Sequence, residues 1–156
     1  MDETEVLPVV AVESLASRCR FYREVCGLPA RVRPDVERIV FTSGSVGAVT
    51  MPAELAAPVK AYMLSRHSRI GPVISHPRSK RWTFLVRPDI PDEVQLFAEL
   101  FRRNASVARW GAEVVLPSPY DRHMTYRVWV NSPRDGFRPS GMAVVEAMRS
   151  CPSLLP

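Results

Sequence analysis

Several sequence signals are scarce in this chain of 156 residues. No apolar run approaches the roughly 18 residues that a membrane-spanning helix needs, so no membrane span is expected. The three cysteines, Cys19, Cys26 and Cys151, are odd in number and form no C-x-x-C pair, which argues against a disulfide framework. Residues 1–5 are acidic rather than basic, unlike a secretory leader, so a cytoplasmic location is expected.

Signals for bound metals and for common catalytic motifs are also scarce. The histidines are His67, His76 and His123, and none of them lies at metal-ligand spacing from a cysteine. The chain has no glycine-rich phosphate loop and no G-x-S-x-G nucleophile motif. The sequence therefore predicts no metal and no cofactor, and it identifies no catalytic residue.

Arginine is the residue type that the chain has in excess. Lys60 and Lys80 are the only lysines among 21 basic residues, and the net charge is +5. A basic balance favours nucleic acid or another polyanion as a partner. The alternative is ordinary surface charge, which keeps a domain of this size soluble whatever it binds.

Hydrophobic periodicity predicts four helices, at residues 14–27, 52–66, 91–103 and 139–151. Ser14 is a suitable N-cap for the first helix, and Gly27 can adopt the left-handed conformation that ends it. Leu15, Cys19, Tyr22 and Cys26 recur on one face of that helix, so both cysteines are expected to be buried and reduced. In the last helix, Val144, Val145 and Met148 are expected to face inward.

Two helices need separate comment. In the helix at 91–103, an i, i+3, i+4, i+7 pattern predicts a core-facing stripe of Val94, Phe97, Ala98 and Phe101. In the helix at 52–66, Pro58 removes a hydrogen bond at a cost of about 3 kcal/mol. We therefore expect that helix to start later or to kink at Pro58.

Short β-branched and alternating runs predict strands at 28–32, 36–42, 46–51, 72–76, 81–86, 105–109, 112–116 and 126–130. Two hairpins, 72–86 and 105–116, are expected in one sheet with the helix at 91–103 packed on it. Because strands outnumber crossover helices, the fold class is α/β (α+β) with a mixed, largely antiparallel sheet. No linker or repeat divides the chain, so residues 1–156 are assigned to one domain with 1–13 as a candidate mobile tail.

Basic residues interleaved with aromatic ones mark the candidate binding site. One group lies around the first hairpin: His76, Arg78, Lys80 and Arg81. The other lies in and after the second: Arg109, Trp110, Tyr120, Arg122 and Arg127. Arginine pairs with phosphates and exposed aromatic rings stack on bases, so the pattern fits nucleic acid or a nucleotide. The alternative is that the aromatic rings belong to the core and the arginines solvate the outer face.

A family resemblance extends over residues 46–129. Residues 111–119 read GAEVVLPSP and are followed by Tyr126 and Trp129. This segment resembles the G-G-Y-V-V-A-P-P-S strand and turn of the bifunctional DNA primase–polymerase domain of the archaeo-eukaryotic primases. Residues 71–85 and 138–141 also resemble short proteins of high-GC, actinobacterial-type genomes, a resemblance that implies no activity.

The primase resemblance implies that the catalytic positions are degenerate. Thr50 and Pro52 stand where the family has two metal-binding aspartates, Ser106 stands at a third, and Arg81 stands at the nucleotide-contacting histidine. Mg²⁺ needs carboxylate oxygens, and two-metal phosphoryl transfer needs several of them held together. The resemblance therefore implies a primase–polymerase-like domain without polymerase activity.

Three hypotheses remain from the sequence. The favoured one is a catalytically inactive domain with a binding or regulatory role, whose basic cleft holds nucleic acid, a nucleotide or an acidic partner protein. The second is a protein-interaction module without a ligand, most simply a homodimer. The third is a small enzyme of unrelated mechanism that uses His76 or His123.

Overall fold

The computed structural model describes residues 13–121 and 126–152, so most of the candidate tail at 1–13 lies outside the described residues. Within these ranges the chain forms the helices α1 (Leu15–Glu24), α2 (Ala53–Ser65), α3 (Val94–Arg102) and α4 (Gly141–Ser150). The strands are β1 (Arg31–Arg33), β2 (Arg38–Thr42), β3 (Gly47–Pro52), β4 (Val73–His76), β5 (Arg81–Val86), β6 (Ser106–Val107), β7 (Glu113–Leu116) and β8 (Val128–Asn131). The expected α+β class is confirmed.

The strands form two antiparallel sheets. One has five strands in the order β6-β3-β5-β4-β8, and the other has three in the order β1-β2-β7. The predicted hairpin of β4 and β5 is confirmed, with His76 opposite Arg81. An isolated parallel bridge joins Arg87 to Ser140.

The predicted hairpin at 105–116, and its placement with the first hairpin in one sheet, are wrong. Ser106 in β6 lies opposite Thr50 in β3, whereas β7 pairs with β2 in the other sheet. The segment between them crosses from sheet to sheet, and the Gly111 N–H donates to the Ser43 carbonyl at 2.8 Å. Pairing with β2 buries Leu116 in a core, a gain that a local turn could not provide.

The five-stranded sheet has a core on each face. In the first core, α2, α3 and α4 pack against one face of the sheet. Phe84 and Val86 point into this core, the residues between them point to the other face, and the partly buried Trp82 packs against the core. The second core packs α1 and the three-stranded sheet against the opposite face, where Ala48, Ile74 and Leu85 are buried. The sheet is therefore the middle layer of the molecule.

Helix α1 forms as predicted. The Ser14 side chain accepts a hydrogen bond from the Ser17 N–H in a capping box, and Gly27 has a φ of +63° after the helix. Cys19 and Cys26 are buried as expected. Burial is the main reason that the pKa of the Cys26 thiol rises to about 11, and the nearby Asp135 carboxylate adds to it.

Helix α2 contains Pro58, so the expected later start is wrong. Leu55, Val59 and Met63 are buried on its inner face. Burying each of these side chains contributes roughly 1.5–3 kcal/mol. The three contributions together exceed the roughly 3 kcal/mol that a proline inside a helix costs. Among the described residues, no helix has the length and apolar character to cross a membrane.

The predicted inward face of α3 is also wrong. Leu96 and Leu100 are buried, whereas the predicted stripe of Val94, Phe97, Ala98 and Phe101 is exposed. Polar contacts with α4 accompany this orientation. Arg149 of α4 donates two hydrogen bonds to Glu99, at 2.8 and 2.9 Å, and the Arg103 guanidinium donates to the Met148 carbonyl. In α4 the prediction holds, because Val144, Val145 and Met148 are buried.

Candidate functional site

The candidate site is a row of polar side chains on the face of the five-stranded sheet that also carries the second core. Alternation along β3, β4 and β5 places Thr50, His76 and Thr83 on the same face as Ala48, Ile74 and Leu85. Beyond the apolar residues of the second core, the same face of the sheet carries polar side chains on four neighbouring strands: Ser106, Thr50, Thr83 and His76. We call these four residues the polar row. Ser106 is exposed, Thr50 and His76 are half-buried, and Thr83 is buried.

Hydrogen bonds connect three members of the polar row. The Thr83 hydroxyl oxygen lies 2.8 Å from the Thr50 hydroxyl oxygen and 2.8 Å from His76 Nε2. Each hydroxyl has one proton but can accept two hydrogen bonds, so the protonation of His76 Nε2 decides where the Thr83 proton points. If His76 Nε2 carries no proton, Thr83 donates to it and accepts from Thr50. If Nε2 is protonated, it donates to Thr83, and the Thr50–Thr83 bond can then run in either direction.

Arg81 lies beside the polar row on β5. Its guanidinium donates to the Asn104 carbonyl at 2.9 Å and to the Thr50 carbonyl at 3.4 Å. These contacts hold the cation next to the backbone of β3 and the start of β6, and its side chain remains half-buried. Arg81 therefore supplies a fixed positive charge to this end of the sheet.

A second fixed cation, Arg127, reaches the site from the segment before β8. It donates to Asp121 at 3.0 Å, and the two side chains are only 15% and 8% exposed. Asp121 also accepts from the Ser118 N–H at 2.9 Å, which is the local turn contact that its sequence position indicates. The Arg127–Asp121 ion pair is largely shielded from solvent, so the negative charge of Asp121 is already balanced by Arg127.

The pKa of His76 lies below its usual value. Burial is the largest cause, followed by the positive charges of Arg127 and Arg81, while Asp121 opposes them. His76 is therefore neutral at pH 7, and the polar row offers hydroxyls and an imidazole rather than net charge. A bound anion would reverse part of this effect, because it would favour the protonated imidazole.

The turn between β4 and β5, residues 77–80, carries two more cations. The Arg78 guanidinium lies 4.4 Å from the ring centroid of Tyr126, within cation–π range. Lys80 is exposed with a φ of +58°, and its carbonyl accepts from the Ala53 N–H at 2.9 Å. We call residues 77–80 the basic turn; it adjoins His76 and Arg81 along the chain.

The structure does not bring all predicted site residues together. Arg109 and Trp110 lie at the opposite end of β3, where the Trp110 ring is 84% exposed and lies against Gly44. The six residues of β3 span roughly 20 Å, so these two cannot share a small ligand with the basic turn. Tyr120 is half exposed and adjoins Asp121. Arg122 and His123 lie outside the described residues.

A groove of about 510 Å³ lies on the other side of Arg127, between α1 and β8. Its lining includes Phe21, Tyr22, Pro117 and Trp129, so it is largely apolar. Arg127 lines this groove and also acts on His76, which makes the two regions neighbours.

Sequence reasoning missed two members of the site, Thr83 and Asp121. Thr83 and Asp121 are buried polar residues at its centre, and Tyr126 covers Arg78. Thr83 could have been found from alternation, because it points away from the face shared by Trp82 and Phe84. Asp121 contacts only nearby residues, Ser118 and Arg127, whereas the contact of Tyr126 with Arg78 joins segments that are far apart in the sequence.

The site is therefore a set of hydroxyl, imidazole and guanidinium groups. Within residues 13–121 and 126–152, no group of three or more His, Cys, Asp or Glu side chains could hold a metal ion. Such donors suit an oxyanion, which accepts hydrogen bonds from hydroxyls and arginines. Comparison with protein-family models, with curated proteins and with solved structures found no match to this chain.

Proposed function

We propose that this protein is a catalytically inactive, primase–polymerase-like domain that binds single-stranded nucleic acid, or a nucleotide, in a regulatory role. The observation that carries the proposal is the register of β3 and β6. Thr50 and Ser106, which stand at two of the family's metal-binding positions, lie directly opposite each other. Arg81 donates to the Thr50 carbonyl, and the exposed Arg78 and Lys80 lie on the turn just before Arg81.

The register supports the alignment on which the resemblance rests. A metal cage built from two strands needs its ligands on neighbouring strands, on one face, at the same level. Thr50 and Ser106 meet that requirement, although they are 56 positions apart in the sequence. They provide hydroxyls instead of carboxylates, so they lack the negative charge that would hold Mg²⁺.

The surrounding charge favours an anionic ligand. Arg81 is fixed by contacts with carbonyls, and Arg78 and Lys80 lie on the exposed turn, whereas the charge of Arg127 is already balanced by Asp121. Arginine and lysine contact phosphates, and hydroxyls of the polar row can donate to the same oxygens. A ligand phosphate placed over the row would therefore meet donors from several strands.

The aromatic residues favour a single strand or a nucleotide over a duplex. Tyr126 and Tyr120 both have exposed rings, and they flank Asp121 and Arg127 along the chain. Unpaired bases stack on such rings at roughly 1–3 kcal/mol each, and the Arg78–Tyr126 pair extends that flat surface. A duplex would hide its bases from these side chains.

Fluorescence anisotropy with a labelled single-stranded oligonucleotide tests the proposal. We expect binding to weaken steeply between about 50 and 200 mM salt. The variant Arg78→Ala/Lys80→Ala should bind more weakly, and its log–log salt slope should become shallower by about 0.7 for each phosphate that the variant no longer neutralises.

The matched control is Arg20→Ala/Arg23→Ala, which removes the same charge from the exposed side of α1. It should keep the slope of the parent. If the variant of the basic turn binds like the parent at every salt concentration, the turn is only a solvated edge and the proposal is wrong. An equal loss in both variants would mean that net charge, rather than this site, determines binding.

A further inference from the structure

Helix α3 exposes an apolar stripe that no described part of the chain covers. Val94 is 85% exposed, Phe97 37% and Phe101 72%, and Ala98 is exposed between them. Their i, i+3, i+4, i+7 spacing places them on one face over two turns. Single exposed apolar residues are normal on a protein surface, but a continuous stripe marks a contact surface.

The fold fixes this stripe on the outside. Leu96 and Leu100 already occupy the first core, and Glu99 is held by Arg149 of α4. Rotating α3 to bury Phe101 would break these contacts and would expose both leucines. Within residues 13–121 and 126–152, the stripe is therefore open to a partner.

We propose that the occupant is a second copy of this chain, with its own α3 packed antiparallel along the stripe. The order Val94, Phe97, Ala98, Phe101 reads symmetrically about its centre. A two-fold axis between positions 97 and 98 sets Val94 against the partner's Phe101, and Phe97 against the partner's Ala98. Each contact then joins a large side chain to a smaller one, so that the two faces can interdigitate.

The charges at the ends of α3 select the antiparallel arrangement. Asp92 and Glu93 precede the helix, and Arg102 ends it. In an antiparallel pair, the acidic start of one helix lies beside the basic end of the other. The two helix dipoles also point in opposite directions, which is the favourable arrangement. A parallel pair would place like charges together at both ends.

The stripe is short, so the dimer is a weak one. A contact of two helical turns is at the low end of interface sizes, and we expect a dissociation constant on the order of 100 µM. This surface lies on α3, on the opposite side of the sheet from the polar row, and the inference does not depend on the proposed nucleic-acid binding.

Sedimentation equilibrium of the full chain, from about 10 µM to 1 mM at low salt, tests the inference. We expect a monomer–dimer equilibrium, and Phe101→Asp should weaken it at least about tenfold because it puts a charge in the apolar contact. Leu64→Asp is the control, because Leu64 is an exposed apolar residue on another helix, α2. It should leave dimerisation unchanged, and circular dichroism should show both variants folded.

Two further variants test the geometry. Arg102→Glu should weaken the dimer, and Glu93→Arg/Arg102→Glu should restore it. Under oxidation, Ala98→Cys should form a disulfide-linked dimer while Val94→Cys should not, since only position 98 lies near the two-fold axis. Linkage through Val94→Cys would overturn the antiparallel arrangement. A parent chain that stays monomeric at about 1 mM, or equal effects of Phe101→Asp and Leu64→Asp, would overturn self-association through α3.

Discussion

The Trp129 indole N–H donates a hydrogen bond to the Tyr22 hydroxyl at 3.0 Å, which joins the edge strand β8 to helix α1. The two rings meet edge to face with centroids 5.8 Å apart. The Tyr22 hydroxyl donates in turn to the Pro117 carbonyl at 2.7 Å. One buried oxygen therefore links three segments that are far apart in the sequence, at the floor of the groove beside Arg127.

Removing that oxygen should destabilise the fold. Tyr22→Phe leaves the Trp129 N–H and the Pro117 carbonyl without this partner, at a cost of about 1–3 kcal/mol in the free energy of unfolding. Urea denaturation followed by tryptophan fluorescence measures the change. Tyr62→Phe is the control, because the Tyr62 hydroxyl makes no hydrogen bond within the described residues. Equal effects of both substitutions would contradict a special role for the Tyr22 hydroxyl.

His76 should make stability depend on pH. Its pKa is lower in the folded protein than its usual value of 6.5, so the unfolded chain binds more protons. The stability that neutral His76 contributes to the folded state is fully present above pH 6.5. It should be lost progressively as the pH falls through 6.5 towards the pKa of His76 in the folded protein. Urea unfolding at pH 7.5, 6.5 and 5.5 should show this loss in the parent and a smaller loss in His76→Gln. Parallel curves for the two proteins would refute the prediction.

The protein should not extend a primer with nucleotides and Mg²⁺ or Mn²⁺. Thr50, Pro52 and Ser106 cannot form the anionic metal site that two-metal phosphoryl transfer needs. A gel-based extension assay checks this, with Thr50→Val prepared in parallel to detect contaminating polymerase. Extension by the parent that disappears in Thr50→Val would show that the polar row is catalytic.

The cysteines should react slowly in the folded state. Cys19, Cys26 and Cys151 are all buried, and burial raises the pKa of each thiol. With a pKa of about 11, only about one Cys26 in a thousand is a thiolate at pH 8, before access is considered. Labelling with a maleimide or a disulfide reagent, followed by mass spectrometry, should be at least about 100-fold slower than in urea. Rapid native labelling of both Cys19 and Cys26 would show that α1 opens readily.

Local signals in the sequence were sufficient for much of the fold. The Ser14 cap, the Gly27 stop and the β4–β5 hairpin each depend on residues within a few positions of one another, and the structure has all three. His76 and Arg81 could be placed together for the same reason. The alternation of residues along β5 also accounts for the burial of Phe84 in the first core, with Trp82 packed against it.

The features that failed depend on distant partners. Helix α3 has apolar residues on two faces, and the tertiary contacts of the first core, not a local pattern, place Leu96 and Leu100 inward. Trp110 and Gly111 look like a local hairpin turn, yet β6 and β7 pair with different strands. Arg127 joins the site only because β8 pairs with β4.

The pairing of β2 with β7 also bears on how the chain folds as it leaves the ribosome. About 70 residues separate these neighbouring strands. At a synthesis rate of roughly 5–20 residues per second, β7 is therefore made several seconds after β2. During that time Ile39 and Phe41 lack the cover that Leu116 will provide. The nascent chain should therefore be most prone to aggregation, and most dependent on chaperones, before residue 116 emerges.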